Sequence, residues 1–288
     1  MRAPPKSPPT KPDPRTAPFR PDLAAASLYG KVEAERYVDG VACQIRTGFA
    51  SLRETADWES RQGSQLLFGE IFTVLEESDG WAWGQNGTDD YVGYLRLDAL
   101  EEAGPPVTHQ VSALRTYLFA EPDLKTPPLD LLPFQGRVAA VGERNKYVEI
   151  AGGGWIYHRH LQEIGAAAAD PVTVAQRFAG TPYLWGGRTS LGLDCSALVQ
   201  LALAGCGVNA PRDSDLQRAA LGNVVSRDGR NFTFQRGDLV FLPGHVGLMA
   251  DADTLVHANA FHMEVVAEPL AHVLARAGDK GIISVNRL

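Results

Sequence analysis

Cysteine is scarce in this chain of 288 residues: Cys43, Cys195 and Cys206 stand too far apart for a disulfide framework or a CxxC metal knuckle, which fits a reducing compartment. Long apolar runs are missing too. No window reaches the ~18 apolar residues of a membrane span, and the start "MRAPPKSPPTKPDPRTAPFRP" has no apolar h-region, so a cytoplasmic protein without a membrane role is expected. A basic excess is absent as well. The net charge of −7 removes the broad positive field that nucleic acid or anionic lipid needs and leaves small or peptide-like partners. At 44% hydrophobic and 21% charged residues, there is enough apolar material for ordinary cores, and the length suggests two or three domains.

Eight of the first twenty-one residues are Pro and five are Lys or Arg, so residues 1–27 read as a tail that is disordered or draped over a neighbour. From 28 to 165 short Val, Ile, Leu and aromatic segments alternate with turn residues. Residues 51–100 align with 113–164: in both, a Leu-Arg strand and a loop lead to a Gly-started strand, a second strand, a glycine turn and a short aromatic strand. Two small antiparallel barrels follow, over 28–104 and 105–166, with Gly104, Pro105 and Pro106 as the seam. They resemble bacterial SH3-like domains in their Gly-Tyr/Trp strand before a closing Leu or Ile.

Pro171 restarts the chain in another style. Asp170 suits an N-cap and Pro171 the first position of a short helix. "GDLVFL", "HVGLMA" and "TLVHANA" are strands joined by tight turns; with "MEVVAE", a helix near 269–277 and "IISVNRL" they complete an α+β domain over 167–288.

Between Cys195 and Cys206 the only polar side chains are Ser196 and Gln200, which marks a helix for the centre of a core. Asp194 and Cys195 open it. A thiol in the first turn meets unpaired N–H groups and the positive dipole end, which predicts a pKa below the free value of about 8.5 and a reactive Cys195. Cys206 and Cys43 read as packing residues. The midpoint between His245 and His257 falls at Asp251, so a hairpin turning there sets the two rings nearly opposite on neighbouring strands. One imidazole then serves the sulfur and the second holds it in the productive tautomer. His109, His158, His160, His262 and His272 read as surface or satisfied core residues. One Cys and two His also make a three-ligand zinc shell, but the helix-start geometry and the lack of a nearby carboxylate count against it; no metal or other cofactor is expected.

"TPYLWGGRTSLGLDCSALVQ", "PRDSDLQ", "RGDLVFLPGHVGLM" and "LVHANA" together resemble the NlpC-type cell-wall peptidases, a papain-like cysteine family, in expected order over 170–288. With the two preceding barrels they look like the branch that cuts γ-D-glutamyl-L-diamino-acid bonds of murein peptides. Ala197 departs from the family's usual Gly. The resemblance implies a papain-like domain, a central helix on an antiparallel sheet, behind two SH3-like barrels. It makes Cys195 the nucleophile, His245 the base and His257 the third member, with the Tyr183 hydroxyl beside the oxyanion; from position alone Tyr183 reads equally as loop packing. Asp194 and Ser196 are candidates for holding the free ammonium of an N-terminal L-Ala, although Asp194 as a simple helix cap explains its place equally well. Glu70 and Tyr91 are the best matches for the glutamate and tyrosine that the first barrel lends to that pocket, or else a strand-end charge and a barrel aromatic. The implied partner is a short murein peptide with a free amine, in wall recycling. A peptide-binding module with a silent last domain and a thiol acyltransferase are the rival readings. The sequence leaves the oligomeric state and the diamino acid open.

Overall fold

A computed structural model describes residues 12–279 and 281–288. Three regions of chain each have a core, and the main cluster of the last also takes in Leu67 and Phe134 of the first two. The first is all-β, a seven-stranded antiparallel sheet curled around Ile45, Leu52, Leu66, Phe72 and Leu95. The second is also all-β, with five-stranded and three-stranded sheets around Val111, Leu132, Val148 and Ile156.

The internal repeat has a counterpart in strand order. Gln62–Leu67, Phe49–Arg53, Val92–Arg96, Trp81–Asn86 and Ile71–Ser78 lie side by side in the first unit. Pro128–Pro133, Arg115–Phe119, Trp155–Tyr157, Tyr147–Ile150 and Ala140–Arg144 lie in the same sequence in the second. Tight turns at 79–80 and 145–146 and longer loops at 54–61 and 120–127 take matching places in the two units, so the spacing of turn residues carries the topology.

The last region mixes helices with a six-stranded antiparallel sheet. Its order is Asn223–Ser226, Ser284–Arg287, Leu239–Leu242, His245–Met249, Thr254–Asn259 and Glu264–Pro269. Helix α1 (Pro171–Gln176) is capped by the Asp170 carboxylate, which accepts from the Val172 and Thr173 N–H groups. Helix α2 (Cys195–Ala204) buries every residue from Cys195 to Leu203 against the strands that carry the two histidines. Helix α3 (Ser214–Ala220) is an element that the sequence pattern does not predict. Its first turn lies beside the start of α2, where Gln217 donates to the Ser196 carbonyl at 2.9 Å.

Residues 1–11 of the expected tail lie outside the described residues. The rest of that segment is a strap draped over the first β unit. Arg20 stacks on the Trp83 ring at 4.3 Å and donates to the Tyr94 hydroxyl at 2.7 Å. Leu23–Ala25 pairs in parallel with Arg36–Val38, and Leu23 and Ala24 are fully buried. Cation–π and strand contacts here do what the composition alone does not promise.

Two buried arginines dock the last region onto the first. Arg188 donates to both oxygens of Glu70 at 3.0 and 3.1 Å, and to the Gln65 carbonyl at 2.6 Å. Arg212, 1% exposed, reaches Ser64 Oγ at 3.0 Å. The site described next therefore forms where two regions meet.

Candidate active site

Cys195 opens α2 behind its N-cap, Asp194, whose Oδ1 accepts from the Ala197 N–H at 2.9 Å. The thiol is 7% exposed and lines a cavity of about 240 Å³. Tyr183, Trp185, Tyr91 and Asp213 line the same cavity. The expected lowering of the thiol pKa does not occur. Burial, then the charge of Asp194, pushes Cys195 up to about 12, while the backbone N–H groups of Val246 and Ser196 and the charge of Arg212 pull weakly the other way. Desolvation of a thiolate outweighs the pull of a helix start when most of the sulfur's surroundings are protein.

The histidines meet, but not as directly opposed residues. Leu248 pairs with Val256 and Met249 with Leu255, so the ladder carries Gly247, not His245, opposite His257. The turn is centred one residue later than the midpoint of the histidines implies, and His245 reaches His257 along the diagonal. Gly247 makes room for this: a Cβ there would stand 3.0 Å from the His257 Cβ and 2.9 Å from Leu255 Cγ. The rings cross at 71° with centroids 5.0 Å apart, and His245 Nε2 lies 2.7 Å from His257 Nδ1.

What orders this pair was not foreseen from the sequence. His257 pairs with Val266, so Glu268, two residues on, shares its face of the sheet, and Glu268 Oε1 lies 2.9 Å from His257 Nε2. Against the rise that burial alone would bring, hydrogen bonds from Arg276 and His257 hold Glu268 down at about 2. The ionised carboxylate assigns the hydrogen to His257 Nε2. His257 Nδ1 is then an acceptor, His245 Nε2 donates to it, and His245 Nδ1 keeps the lone pair a base needs. The Asn259 amide lies 3.0 Å from the same His257 nitrogen, its carbonyl taken by the Phe261 and His262 N–H groups. His262, read from sequence as a bystander, has its Nε2 3.3 Å from Glu268. The signal that would have found Glu268 is strand alternation counted from His257 across the next hairpin.

Burial, then the neighbouring His257, lowers His245 to about 3. Burial also lowers His257, with Glu268 opposing it. The resting site thus holds a neutral thiol and a neutral imidazole. No hydrogen bond joins Cys195 Sγ to the His245 ring among the described residues, although Val246, next in the strand, turns its N–H to the sulfur.

The predicted amine-holding residues divide. Glu70 is not in this cavity: both its oxygens go to Arg188, and Oε2 also accepts from the Leu67 N–H at 2.9 Å. A carboxylate in the tight turn after Gly69 is captured by the nearest buried cation. Asp194 and Ser196 line the cavity but are committed. Arg212 takes both Asp194 oxygens at 2.9 and 2.6 Å, and Ser196 Oγ lies 3.0 Å from Arg212 and donates to Asp194 at 3.1 Å. Asp194 is a cap and an ion-pair partner. Tyr91 does line the cavity, and its hydroxyl donates to Asp213 Oδ2 at 3.2 Å. Asp213, Asp215 and Glu54 gather there, an acidic end that needs two separate stretches of chain.

Glu268→Gln tests the proton order. A neutral amide no longer fixes the His257 tautomer, and kcat is expected to fall about 10²-fold with KM little changed. An unaltered kcat in peptide assays would mean that the Glu268 carboxylate does not set the proton order.

Residues 52–100 match the bacterial dipeptidyl-peptidase SH3 domain, and residues 180–276 match the NlpC/P60 family. A dipeptidyl-peptidase 6 from Lysinibacillus sphaericus is 34% identical over 114 residues, which is 38% of this chain and 41% of that protein. A gamma-D-glutamyl-L-lysine dipeptidyl-peptidase from Bacillus subtilis is 26% identical over 270 residues, 82% of this chain and 88% of the relative. The chain thus matches less than half of the first relative's length and most of the second's. A solved NlpC/P60 family protein from Bacillus cereus shares the fold with a TM-score of 0.72 at 18% identity, over 85% of this chain and 99% of that one.

Proposed function

The chain belongs to the NlpC/P60 family of peptidases and carries an N-terminal SH3 domain, and from that premise we infer that it is a cysteine peptidase cutting the γ-D-glutamyl-L-diamino-acid bond of short murein peptides with a free N-terminal L-Ala. One observation carries this reading: a single cavity of about 240 Å³ has the Cys195 sulfur among its walls together with the Tyr91–Asp213 pair. A nucleophile and an acidic end so enclosed suit a short ligand with a cationic terminus. In the same reading the second β unit is a second SH3-like barrel, and α2 on its sheet is a papain-like core.

In this mechanism the substrate's ammonium is held by Asp213 with Tyr91, and the γ-carbonyl of D-Glu comes to Cys195. His245 Nδ1 takes the thiol proton as sulfur attacks, because the neutral pair has to exchange that proton in the step itself. The oxyanion faces the Cys195 backbone N–H and the Tyr183 hydroxyl. The imidazolium, stabilised through His257 by Glu268, then protonates the departing amine of the diamino acid. Water, giving its proton back to His245, hydrolyses the thioester and restores the thiol. Burial raises Asp213, with Arg212 and Arg15 opposing it, so acid conditions neutralise it and weaken amine binding: KM rises as pH falls through its raised pKa.

Mass spectrometry of products from L-Ala-γ-D-Glu-diaminopimelate, its N-acetylated form and intact sacculi tests this. The free-amine peptide is expected to yield L-Ala-γ-D-Glu, the acetylated one to react at least about 10²-fold more slowly, and sacculi to stay intact. Comparable digestion of sacculi would sink it. Use on free peptides in wall recycling, in the cytoplasm, is part of the same proposal.

A further inference from the structure

The strap that crosses the first β unit meets the acidic end of the cavity at Arg15. Arg15 Nη1 donates to Asp213 Oδ2 at 2.7 Å and to Asp215 Oδ1 at 3.0 Å, and Nη2 donates to Asp215 Oδ2 at 2.8 Å and to Asp13 Oδ2 at 2.7 Å. Nε donates to Asp13 as well, at 3.1 Å. All five guanidinium N–H groups are engaged. The backbone is tied down beside it: the Arg15 carbonyl accepts from the Val92 N–H at 2.8 Å and the Thr16 carbonyl from Gln85 Nε2 at 2.9 Å.

Arg15 also stands between two spaces. It lines the cavity with Cys195 and, on its other side, a hollow of about 380 Å³ between the strap and the first β unit. Glu54, Gly63 and Tyr91 border both spaces too. Arg15 and Tyr91 are the members of this partition that also hold Asp213, and Arg15 does so as an ion pair.

A competing plug would have to leave for substrate to enter. An ammonium has three N–H groups and cannot replace five charge-assisted hydrogen bonds shared among three carboxylates, so the guanidinium stays. We propose that Arg15 is a specificity-determining positioning residue: it fixes the Asp213 carboxylate for the substrate's terminal ammonium and closes the cleft beyond it, so that peptides extended at the amine are refused. This rests on the reading of the Asp213 end as the amine subsite.

The test uses the full chain with Arg15→Ala, Arg15→Lys and Asp213→Asn, assayed on L-Ala-γ-D-Glu-diaminopimelate and on the same peptide extended by an N-terminal Gly. For Arg15→Ala, KM for the free-amine peptide is expected to rise about tenfold or more with kcat within about twofold. The preference over the extended peptide falls at least about tenfold, since the partition is open. Arg15→Lys, which keeps the charge but not the fork, falls between, and guards against a folding defect in Arg15→Ala. Unchanged preference in Arg15→Ala, or a KM that drops because a plug has gone, would overturn the proposal. If Asp213→Asn raises KM while Arg15→Ala does not, only this proposal fails; if Asp213→Asn changes neither KM nor preference, the amine subsite itself is wrong.

Discussion

Cys195→Ala is expected to lose about 10⁴-fold or more in turnover, as removal of a nucleophile does in enzymes that work through a covalent intermediate. His245→Ala should lose nearly as much, and the double variant no more than either alone, because sulfur and ring act as one unit. Cys206→Ala and Cys43→Ala should keep activity: both thiols are half-buried packing groups, against the core of the last region and of the first respectively. The raised thiol adds a second readout. With Cys195 pushed up to about 12, iodoacetamide labelling is slow at neutral pH and climbs about tenfold per pH unit toward that value. Fast labelling at pH 7 that disappears in Cys195→Ala would show that the ring already holds the proton, and the neutral resting pair would be wrong.

Arg212→Met is expected to destabilise the protein by about 3–5 kcal/mol, since it leaves the Asp194 carboxylate buried without its cation. For a chain of this size that is about 6–20 °C in Tm. The loss reaches past stability, because Asp194 caps the helix that presents Cys195 and Arg212 also bonds Ser64 of the first β unit. Asp194→Asn combined with Arg212→Met should recover part of the loss, because the orphaned charge is gone. Thermal unfolding followed by circular dichroism measures both; a change below about 1 kcal/mol in the single variant would mean that water reaches Asp194 and the pair contributes little.

The two arginines also show why a reading by motif stops short. Arg188 and Arg212 look like ordinary loop charges in "WGGRTS" and "APRDSD", yet they are 2% and 1% exposed. Charged residues are expected at the surface unless paired, and their partners, Glu70 and Asp194, lie 118 and 18 residues away. From the sequence, Glu70 reads as an amine-pocket candidate or a strand-end charge and Asp194 as an amine-pocket candidate or a helix cap, and neither reading shows the cation each one holds. Asp213 and Glu54, which do line the acidic end, gave no local signal of it.

Local order made the rest readable. An apolar run opened by Asp194 and Cys195 has one good solution, a core helix with its first turn free, and the spacing of turn residues repeated in 51–100 and 113–164 carries one strand order twice. Two histidines flanking a short turn had to come near each other on neighbouring strands. Whether they meet across or diagonally depends on a ladder register that slips without changing the pattern of the chain, and it was the pairing of Leu248 with Val256 and the missing side chain at Gly247 that settled it. The protonation of the site was likewise beyond the sequence, because the pull of a helix start is local whereas burial is a sum over everything packed around the sulfur. So the order of elements, the thiol at the helix start and the nearness of the two rings were written in the chain. The acidic end, the Glu268 support and the strap at Arg15 were decided only by folding, because each joins segments whose separation along the chain leaves no periodic trace.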